Sequence, residues 1–341
     1  MIASLQVYRG FAAVLVIFYH AHLIMGGYAT QNALTELFRF AHSGVLFFFV
    51  LSGFIIYYVH RGDIGKPTRL KRYGAKRFVR IYPVYWIVTL LFLPVWFLVP
   101  SFGQEYHREL SALVMSLLLA PQEHMPHVSV GWTLVHEVAF YLLFAVAVLH
   151  RRIGFALLAG WQLSILFFMA AGTPPSHYLL SFLCSEYNLL FGMGMLAAYI
   201  AIQRGAFVER YGLYAFILGN ILFLAAAAAE NGYAPLEEST LWFGAASFLM
   251  ILGAPSPRVE GWFHPRRMLV YLGDASYSVY LVHYFILSFL CKAFGVLGVF
   301  AVLPGAVIYL LLCAGGLLGG VLFYRFVEAP LLERLRGKLP N

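Results

Sequence analysis

The chain has 341 residues, of which 62% are hydrophobic and only 11% are charged, and its formal net charge is +8. Soluble domains average about 25% charged residues, so this composition excludes an ordinary soluble domain. Nearly every stretch of about 20 residues is apolar, which is typical of a protein that crosses the membrane many times.

Ten apolar segments are long enough to cross the membrane. Each is predicted to be a helix, because backbone groups in lipid must find hydrogen bonds within the protein. The run 217–229 lacks the alternation with a period of two that a β-barrel strand would show. In chain order, the predicted spans are 7–25, 40–59, 81–99, 132–150, 153–172, 179–202, 212–230, 239–254, 268–290 and 299–324. The apolar segment 110–120 is too short to cross, and we expect an interfacial or re-entrant helix there. The predicted fold is all-α and polytopic, with one transmembrane domain over residues 1–341.

Basic residues predict the orientation of these spans. If the N-terminus is cytoplasmic, 20 of the 23 Lys and Arg lie in inner segments, and only Arg39, Arg108 and Lys292 lie outside. Cytoplasmic loops of membrane proteins carry such an excess, so we expect both termini in the cytoplasm. This bias and attraction to anionic membrane lipid account for the net charge, and no nucleic-acid partner is expected.

Two ionisable residues interrupt the first span. Arg9 and His20 are eleven positions apart, which on a helix is about 16 Å of rise and three turns, so both face the same way. Ionisable groups inside a membrane are costly and usually mark function. Histidine titrates near neutral pH and suits a general base, although a hydrogen-bonded structural histidine is the alternative.

Glu137 lies about five residues below the outer end of the fourth span, at the depth predicted for His20. A carboxylate at that depth can orient an imidazole and stabilise its protonated form, or it can pair with an arginine for assembly. His136 and Glu137 begin like the zinc motif H-E-x-x-H, but Phe140 stands where the second histidine is required. No complete ligand set is present, and no metal is expected.

A basic run at the inner surface contains Arg77 and Arg80, which are three residues apart and share a helix face. Guanidinium groups suit phosphates, whether of a ligand or of lipid headgroups. In the ninth span, Tyr280 and His283 follow several serines and tyrosines, and His283 falls near the depth of His20. These side chains could line one cavity or form ordinary interhelical hydrogen bonds.

These features predict a cavity with a basic inner mouth and with a histidine and a glutamate in its outer half. Such a cavity suits a phosphate-bearing donor from the cytoplasm and a hydroxylated acceptor further out. It equally suits a proton-coupled transporter, in which histidine and glutamate form a relay. A membrane sensor or scaffold is a third interpretation.

Six motifs in order resemble those of the acyltransferase-3 family of bacterial membrane-bound O-acyltransferases, and they extend over essentially the whole chain. The first is Arg9 and His20 with ten residues between them. The others are GVLFFFVLSGF at 44–54, RFVRIYP at 77–83, WTLVHEVAFY at 132–141, SYSVYLVH at 276–283 and FVEAP at 326–330. One departure is Leu46, where many members of the family have an acidic residue.

The resemblance implies transfer of an acetyl or other short acyl group from cytoplasmic acyl-CoA to a hydroxyl of an exopolysaccharide, O-antigen or related glycoconjugate, in the bacterial inner membrane. It implies that His20 is the catalytic base and Glu137 its partner. The implied donor-binding residues are Arg9, Arg77 and Arg80, and the expected acceptor-binding residues are His283, Tyr280, Trp132 and Tyr141. No serine or cysteine stands out as a nucleophile, which favours direct transfer. The remaining alternative is a transporter that flips or exports a glycan intermediate.

Overall fold

A computed structural model describes residues 2–27, 33–99, 103–233, 239–264 and 266–337 of the chain. Within these ranges all regular structure is helical and there is no strand, so the predicted all-α class is confirmed. The ten long helices are α1 Ala3–Gly26, α2 Ser43–His60, α3 Leu70–Leu98, α4 Trp132–Leu149, α5 Arg151–Ala171, α6 Tyr187–Gln203, α7 Gly205–Ala228, α8 Ser239–Gly253, α9 Arg267–Val296 and α10 Gly305–Phe323.

Short helices and helical turns connect them. They are Ala33–Glu36, Arg39–His42, Pro67–Arg69, Glu105–Arg108, Leu110–Leu118, Ser129–Gly131, Tyr178–Leu183, Ala229–Tyr233, Pro257–Phe263, Val299–Val302, Tyr324–Glu328 and Ala329–Arg336. Helices long and apolar enough to cross a membrane number nine in the described part of the chain, or ten if the bent pair α8 and Pro257–Phe263 is one span. The chain is therefore a multi-pass membrane protein, as its composition predicts.

The eighth span is broken rather than straight. Helix α8 ends at Gly253, and the following helix Pro257–Phe263 is turned by 92° from it. A proline disfavours helical backbone at the residue before it, and it is well tolerated in the first turn of a new helix. Pro257 therefore fixes the place where the chain turns.

The third helix differs from its prediction at its N-terminal end. Hydropathy places its start at residue 81 and an inner loop over 60–80, whereas α3 begins at Leu70. Hydropathy detects only the apolar part of a helix. The basic stretch before residue 81 is rich in Lys and Arg, which favour helix, so the helix extends beyond the apolar segment.

The short apolar segment forms a separate helix, Leu110–Leu118, whose nine residues rise only about 13 Å. Its last carbonyls accept hydrogen bonds from α3, where Trp86 Nε1 donates to Leu117 O at 2.8 Å and Tyr82 Oη donates to Leu118 O at 2.9 Å. The prediction that this segment is too short to span is confirmed.

The helices cluster into two compact units, Met1–Ile55 with Met193–Phe326 and Ile56–Gly192 with Val327–Asn341, and the boundaries fall inside α2, inside α6 and in the helical turn Tyr324–Glu328. In the first unit α1, α9 and α10 share an apolar core, to which α1 contributes residues spaced four apart, Ala13, Ile17, Ala21 and Met25. In the second unit α4 packs against α3 and α5, and the helix Ala329–Arg336 packs against α3. One functional domain over residues 1–341 stays a prediction.

Glu260 anchors the start of α1. Its carboxylate accepts hydrogen bonds from the backbone N–H groups of Ala3 and Ser4, at 2.6 and 3.1 Å, and from the Ser4 hydroxyl at 2.9 Å. The first N–H groups of a helix have no partner within it, and a negative charge there is favourable. The helix Pro257–Phe263 thus holds the N-terminal end of the helix that carries Arg9 and His20.

Candidate functional site

Two glycines set the register between α1 and α9. A Cβ atom at Gly10 would lie 3.1 Å from the backbone nitrogen of Gly273, and one at Gly273 would overlap the backbone of Gln6. Close approach of this kind requires residues without side chains. The two helices run parallel, because the same separation of 263 residues joins Gly10 to Gly273 and, ten positions further along each helix, His20 to His283.

The predicted histidines meet at this second point of contact. His283 Nε2 lies 3.0 Å from His20 Nδ1, and the two ring centroids are 4.9 Å apart. His283 is completely buried, whereas His20 is partly exposed. His20 Nε2 has no hydrogen-bond partner among the described residues. The pair therefore has one nitrogen that can receive a proton from a ligand.

The N-terminal end of the same helix pair carries a chain of polar side chains. Arg9 Nη1 donates to Gln6 Oε1 at 3.2 Å, and Gln6 Nε2 donates to Asp274 Oδ1 at 2.5 Å. Arg9 and the two histidines thus occupy opposite ends of one α1–α9 contact. This arrangement agrees with the prediction that Arg9 and His20 share a helix face.

In the second unit, Glu137, Tyr141 and Arg77 form a contiguous cluster. The Tyr141 hydroxyl donates to Glu137 Oε1 one helical turn away, and the Arg77 guanidinium lies 5.7 Å from the centroid of the Tyr141 ring. Tyr73 Oη donates to the Tyr141 carbonyl at 2.9 Å and joins α3 to α4. Arg77 Nε is buried and has no hydrogen-bond partner in the described part of the chain. A buried donor without a partner suits an anionic ligand.

Arg80 contacts a different residue from Arg77, although both were predicted to bind the donor. Arg80 Nη1 lies 3.1 Å from Glu328 Oε1, and the Glu328 side chain is completely buried. Two of the sequence motifs, RFVRIYP and FVEAP, are therefore joined by this ion pair. Part of the hydrogen-bonding capacity of Arg80 is used inside the protein.

The remaining predicted residues lie against aromatic neighbours. Trp132 contacts the His136 ring edge-to-face at 5.8 Å, and Tyr280 lies 6.0 Å from His283 between ring centroids. His136 itself is held by Asn188 through a 2.9 Å hydrogen bond. Its position therefore has a structural explanation that involves no metal. In the ranges that the structure describes, no three His, Cys, Asp or Glu side chains are grouped as a metal site would require.

The structure thus brings His20 together with His283, and Glu137 together with Tyr141 and Arg77. His20 and Glu137 belong to different units, so their direct partnership stays a prediction.

Two polar clusters were missed by sequence analysis. His42 Nε2 lies 2.6 Å from Glu230 Oε1 at the ends of predicted spans, and the His42 ring lies 5.5 Å from that of Tyr19. In the segment between α3 and α4, His127 Nδ1 lies 3.1 Å from the Ser116 hydroxyl and Nε2 lies 3.0 Å from the His107 carbonyl. Residues 42 and 230 are too far apart in the chain for any helix or strand spacing to connect them. The sequence therefore could not predict that His42 and Glu230 are in contact.

Comparisons with known proteins bear on this site. A family model described as an acyltransferase domain matches residues 2–325, a range that includes every site residue predicted from the sequence. The exopolysaccharide production protein ExoZ of Rhizobium meliloti (strain 1021) is 28% identical over 313 residues, which are 88% of this chain and 92% of that protein.

A second relative is ORF330 of Acidianus two-tailed virus, whose name gives it a provisional assignment as an acetyltransferase. It is 27% identical over 286 residues, which are 81% of this chain and 80% of that protein. No solved structure matches the chain.

Proposed function

The chain belongs to the acyltransferase-3 family, and we propose that it transfers an acetyl or other short acyl group from acyl-CoA to a saccharide hydroxyl. The printed name of the relative ExoZ, an exopolysaccharide production protein, supports a glycan acceptor. In this proposal the chain lies in the bacterial inner membrane with both termini in the cytoplasm, where acyl-CoA is available.

The observation that carries the proposal is the state of His20. Its Nδ1 is engaged by His283 and by the Val16 carbonyl, and its Nε2 has no partner among the described residues. A histidine held through one nitrogen, with the other open, has the arrangement that general-base catalysis requires. His20 in this proposal removes the proton from the acceptor hydroxyl.

The reaction is a direct transfer. The hydroxyl oxygen attacks the thioester carbonyl as its proton passes to His20 Nε2, the new C–O bond forms, and the C–S bond breaks. The thiolate of CoA then takes the proton from His20 Nε2, which returns to its starting state. Glu137, whose carboxylate is bonded to Tyr141, stabilises the protonated imidazole in this scheme.

Basic residues bind the donor. CoA carries several phosphate charges, and Arg9, Arg77 and Arg80 are proposed to neutralise them or to line the path by which the donor arrives. Arg77 is the strongest candidate because its buried Nε has no hydrogen-bond partner in the described chain. Trp132, Tyr280 and Tyr141 are proposed to contact the saccharide through ring faces and, for the tyrosines, hydroxyl groups.

The proposal is tested in cells that carry the gene, by mass spectrometry of the surface polysaccharide. Deletion is expected to remove an acetyl-sized mass from the glycan, and the wild-type gene is expected to restore it. His20→Gln, present in the membrane at wild-type abundance, is expected not to restore it. His177→Gln is the matched control, because His177 is exposed.

Two results would contradict the proposal. A glycan of unchanged mass that no longer reaches the surface would identify a transporter. Full acylation by His20→Gln would remove the histidine from the chemistry and leave room for a sensor or scaffold.

A further inference from the structure

We propose that His283 is a positioning residue, which fixes His20 in the tautomer with hydrogen on Nδ1 and thereby keeps the Nε2 lone pair available. The catalytic consequence rests on the proposed function, whereas the tautomer itself does not. The inference begins from two backbone carbonyls, one beside each imidazole.

Each Nδ1 lies against the carbonyl one turn earlier in its own helix. His20 Nδ1 is 3.0 Å from Val16 O, and His283 Nδ1 is 3.1 Å from Val279 O. A carbonyl oxygen only accepts hydrogen bonds, so a favourable contact requires hydrogen on the nitrogen. Both rings are therefore assigned to the tautomer with hydrogen on Nδ1.

The contact between the rings agrees with this assignment. If His283 carries its hydrogen on Nδ1, its Nε2 has a lone pair, and that lone pair lies 3.0 Å from the N–H group of His20. The His20 N–H is then shared between Val16 O and His283 Nε2. The reverse assignment would place a lone pair of each imidazole against a carbonyl oxygen in a buried environment, which is unfavourable for both residues.

The same contacts separate His283 from the substrate. Both of its ring nitrogens are engaged within the first unit, and its side chain is completely buried. A substrate-binding role, as the sequence predicted, would need a free nitrogen. His283 therefore acts through His20, much as a buried group behind a catalytic histidine orients it in other acyl-transfer enzymes.

During the reaction this arrangement conserves the proton. His20 receives the hydroxyl proton on Nε2 and becomes an imidazolium whose Nδ1–H still donates to His283 Nε2. The Nε2 proton then leaves with the thiolate, so no proton is gained or lost by the histidine pair over the cycle. The lone pair of His283 stabilises the positive charge while it exists.

The tautomer is measured by nitrogen NMR of protein labelled with ¹⁵N-histidine in lipid nanodiscs, with His20 identified by loss of its signals in His20→Gln. We expect the wild-type protein to show a protonated Nδ1 and an unprotonated Nε2 for His20. His283→Gln keeps an acceptor oxygen near the position of Nε2 and should retain this state. His283→Leu removes one of the two acceptors beside His20 Nδ1 and leaves the Val16 carbonyl, so it should raise the fraction of His20 that carries hydrogen on Nε2.

The two variants also separate positioning from support of the fold. We expect His283→Leu to lower the acylation rate about tenfold, because it removes the hydrogen bond that stabilises the protonated His20, with the saccharide KM nearly unchanged, and His283→Gln to recover most of the rate. Hydrogen on Nε2 of His20 in the wild-type protein would overturn the inference even if neither variant folds. So would an unchanged His20 tautomer in a folded His283→Leu. If no acyl transfer occurs at all, the proposed function fails, while the tautomer measurement still decides the role of His283.

Discussion

Arg80 and Glu328 form an ion pair with Nη1 3.1 Å from Oε1, although 248 residues separate them in the chain. The carboxylate is completely buried, whereas the Arg80 side chain is 27% exposed. Burial of a charge is tolerated when an opposite charge lies beside it. The pair therefore fastens the start of the C-terminal helix to α3, which also carries Arg77.

This asymmetry predicts that removal of the arginine is more damaging than removal of the acid. Arg80→Met should destabilise the protein by about 3 kcal/mol, because it takes the guanidinium from a buried carboxylate. Glu328→Gln should cost less, since a partly exposed arginine can reach water or headgroups. Thermal unfolding in detergent, followed by tryptophan fluorescence, compares the two. If Glu328→Gln proved the more damaging variant, the asymmetry argued from burial would be wrong.

Gly273 is predicted to be essential because α1 and α9 touch there. A side chain at this position would overlap the backbone of Gln6, so Gly273→Ala should push the helices apart and cost about 1–3 kcal/mol of stability. The same displacement should separate His20 from His283. The acylation rate should therefore fall by more than the loss of folded protein accounts for. Gly160→Ala in α5 is the matched control: it meets open space and should be stabilising by about 1 kcal/mol. Equal effects of the two substitutions would refute the close-approach argument.

Arg77 is predicted to contribute to donor affinity. Arg77→Ala should weaken acetyl-CoA binding to the purified protein about tenfold, because a charge-assisted hydrogen bond to phosphate is lost. Arg77→Lys should recover only part of this, since lysine lacks the planar fork. Isothermal titration calorimetry provides the measurement, with Arg108→Ala as the control in an exposed position of the predicted outer stretch. Unchanged affinity in Arg77→Ala would remove this arginine from the donor site.

The segment between α3 and α4 is predicted to lose stability in acid. Burial lowers the pKa of both His107 and His127, so each favours its neutral form in the folded protein. An unfolded histidine titrates near pH 6.5. The stabilisation from these depressed pKa values is complete above that pH and is lost as the pH falls below it, because the unfolded chain then binds more protons.

The measurement is thermal unfolding between pH 7.5 and 5. His127→Gln is expected to be less stable than the wild-type protein at pH 7.5, because the hydrogen bonds of His127 to Ser116 and to the His107 carbonyl are weakened. Its stability should nevertheless depend less on pH than that of the wild-type protein. His177→Gln should keep the wild-type pH dependence, because His177 is exposed. A pH dependence that is identical in all three proteins would exclude the His107 and His127 pair as its source.

The helices themselves were predictable from sequence. Apolar segments long enough to cross a bilayer must be helical, so hydropathy located the spans, with ends up to eight residues from the helix ends apart from the start of α3. The N-terminal end of α3 was misplaced because a charged helix segment produces no hydropathy signal. The bend after α8 depends on Pro257, which the composition of the span did not reveal.

For the candidate site, the residue types that are unusual in a membrane could be identified without a structure: Arg9, His20, Glu137 and His283 stand out because charge and polarity are costly there. Their neighbours could not be identified in this way, because they depend on how the helices pack. His283 meets His20 because two glycines set the register of α1 against α9, and Arg80 meets Glu328 because the C-terminal helix returns to α3. Contacts between residues hundreds of positions apart depend on how whole helices pack, and local composition does not predict that packing.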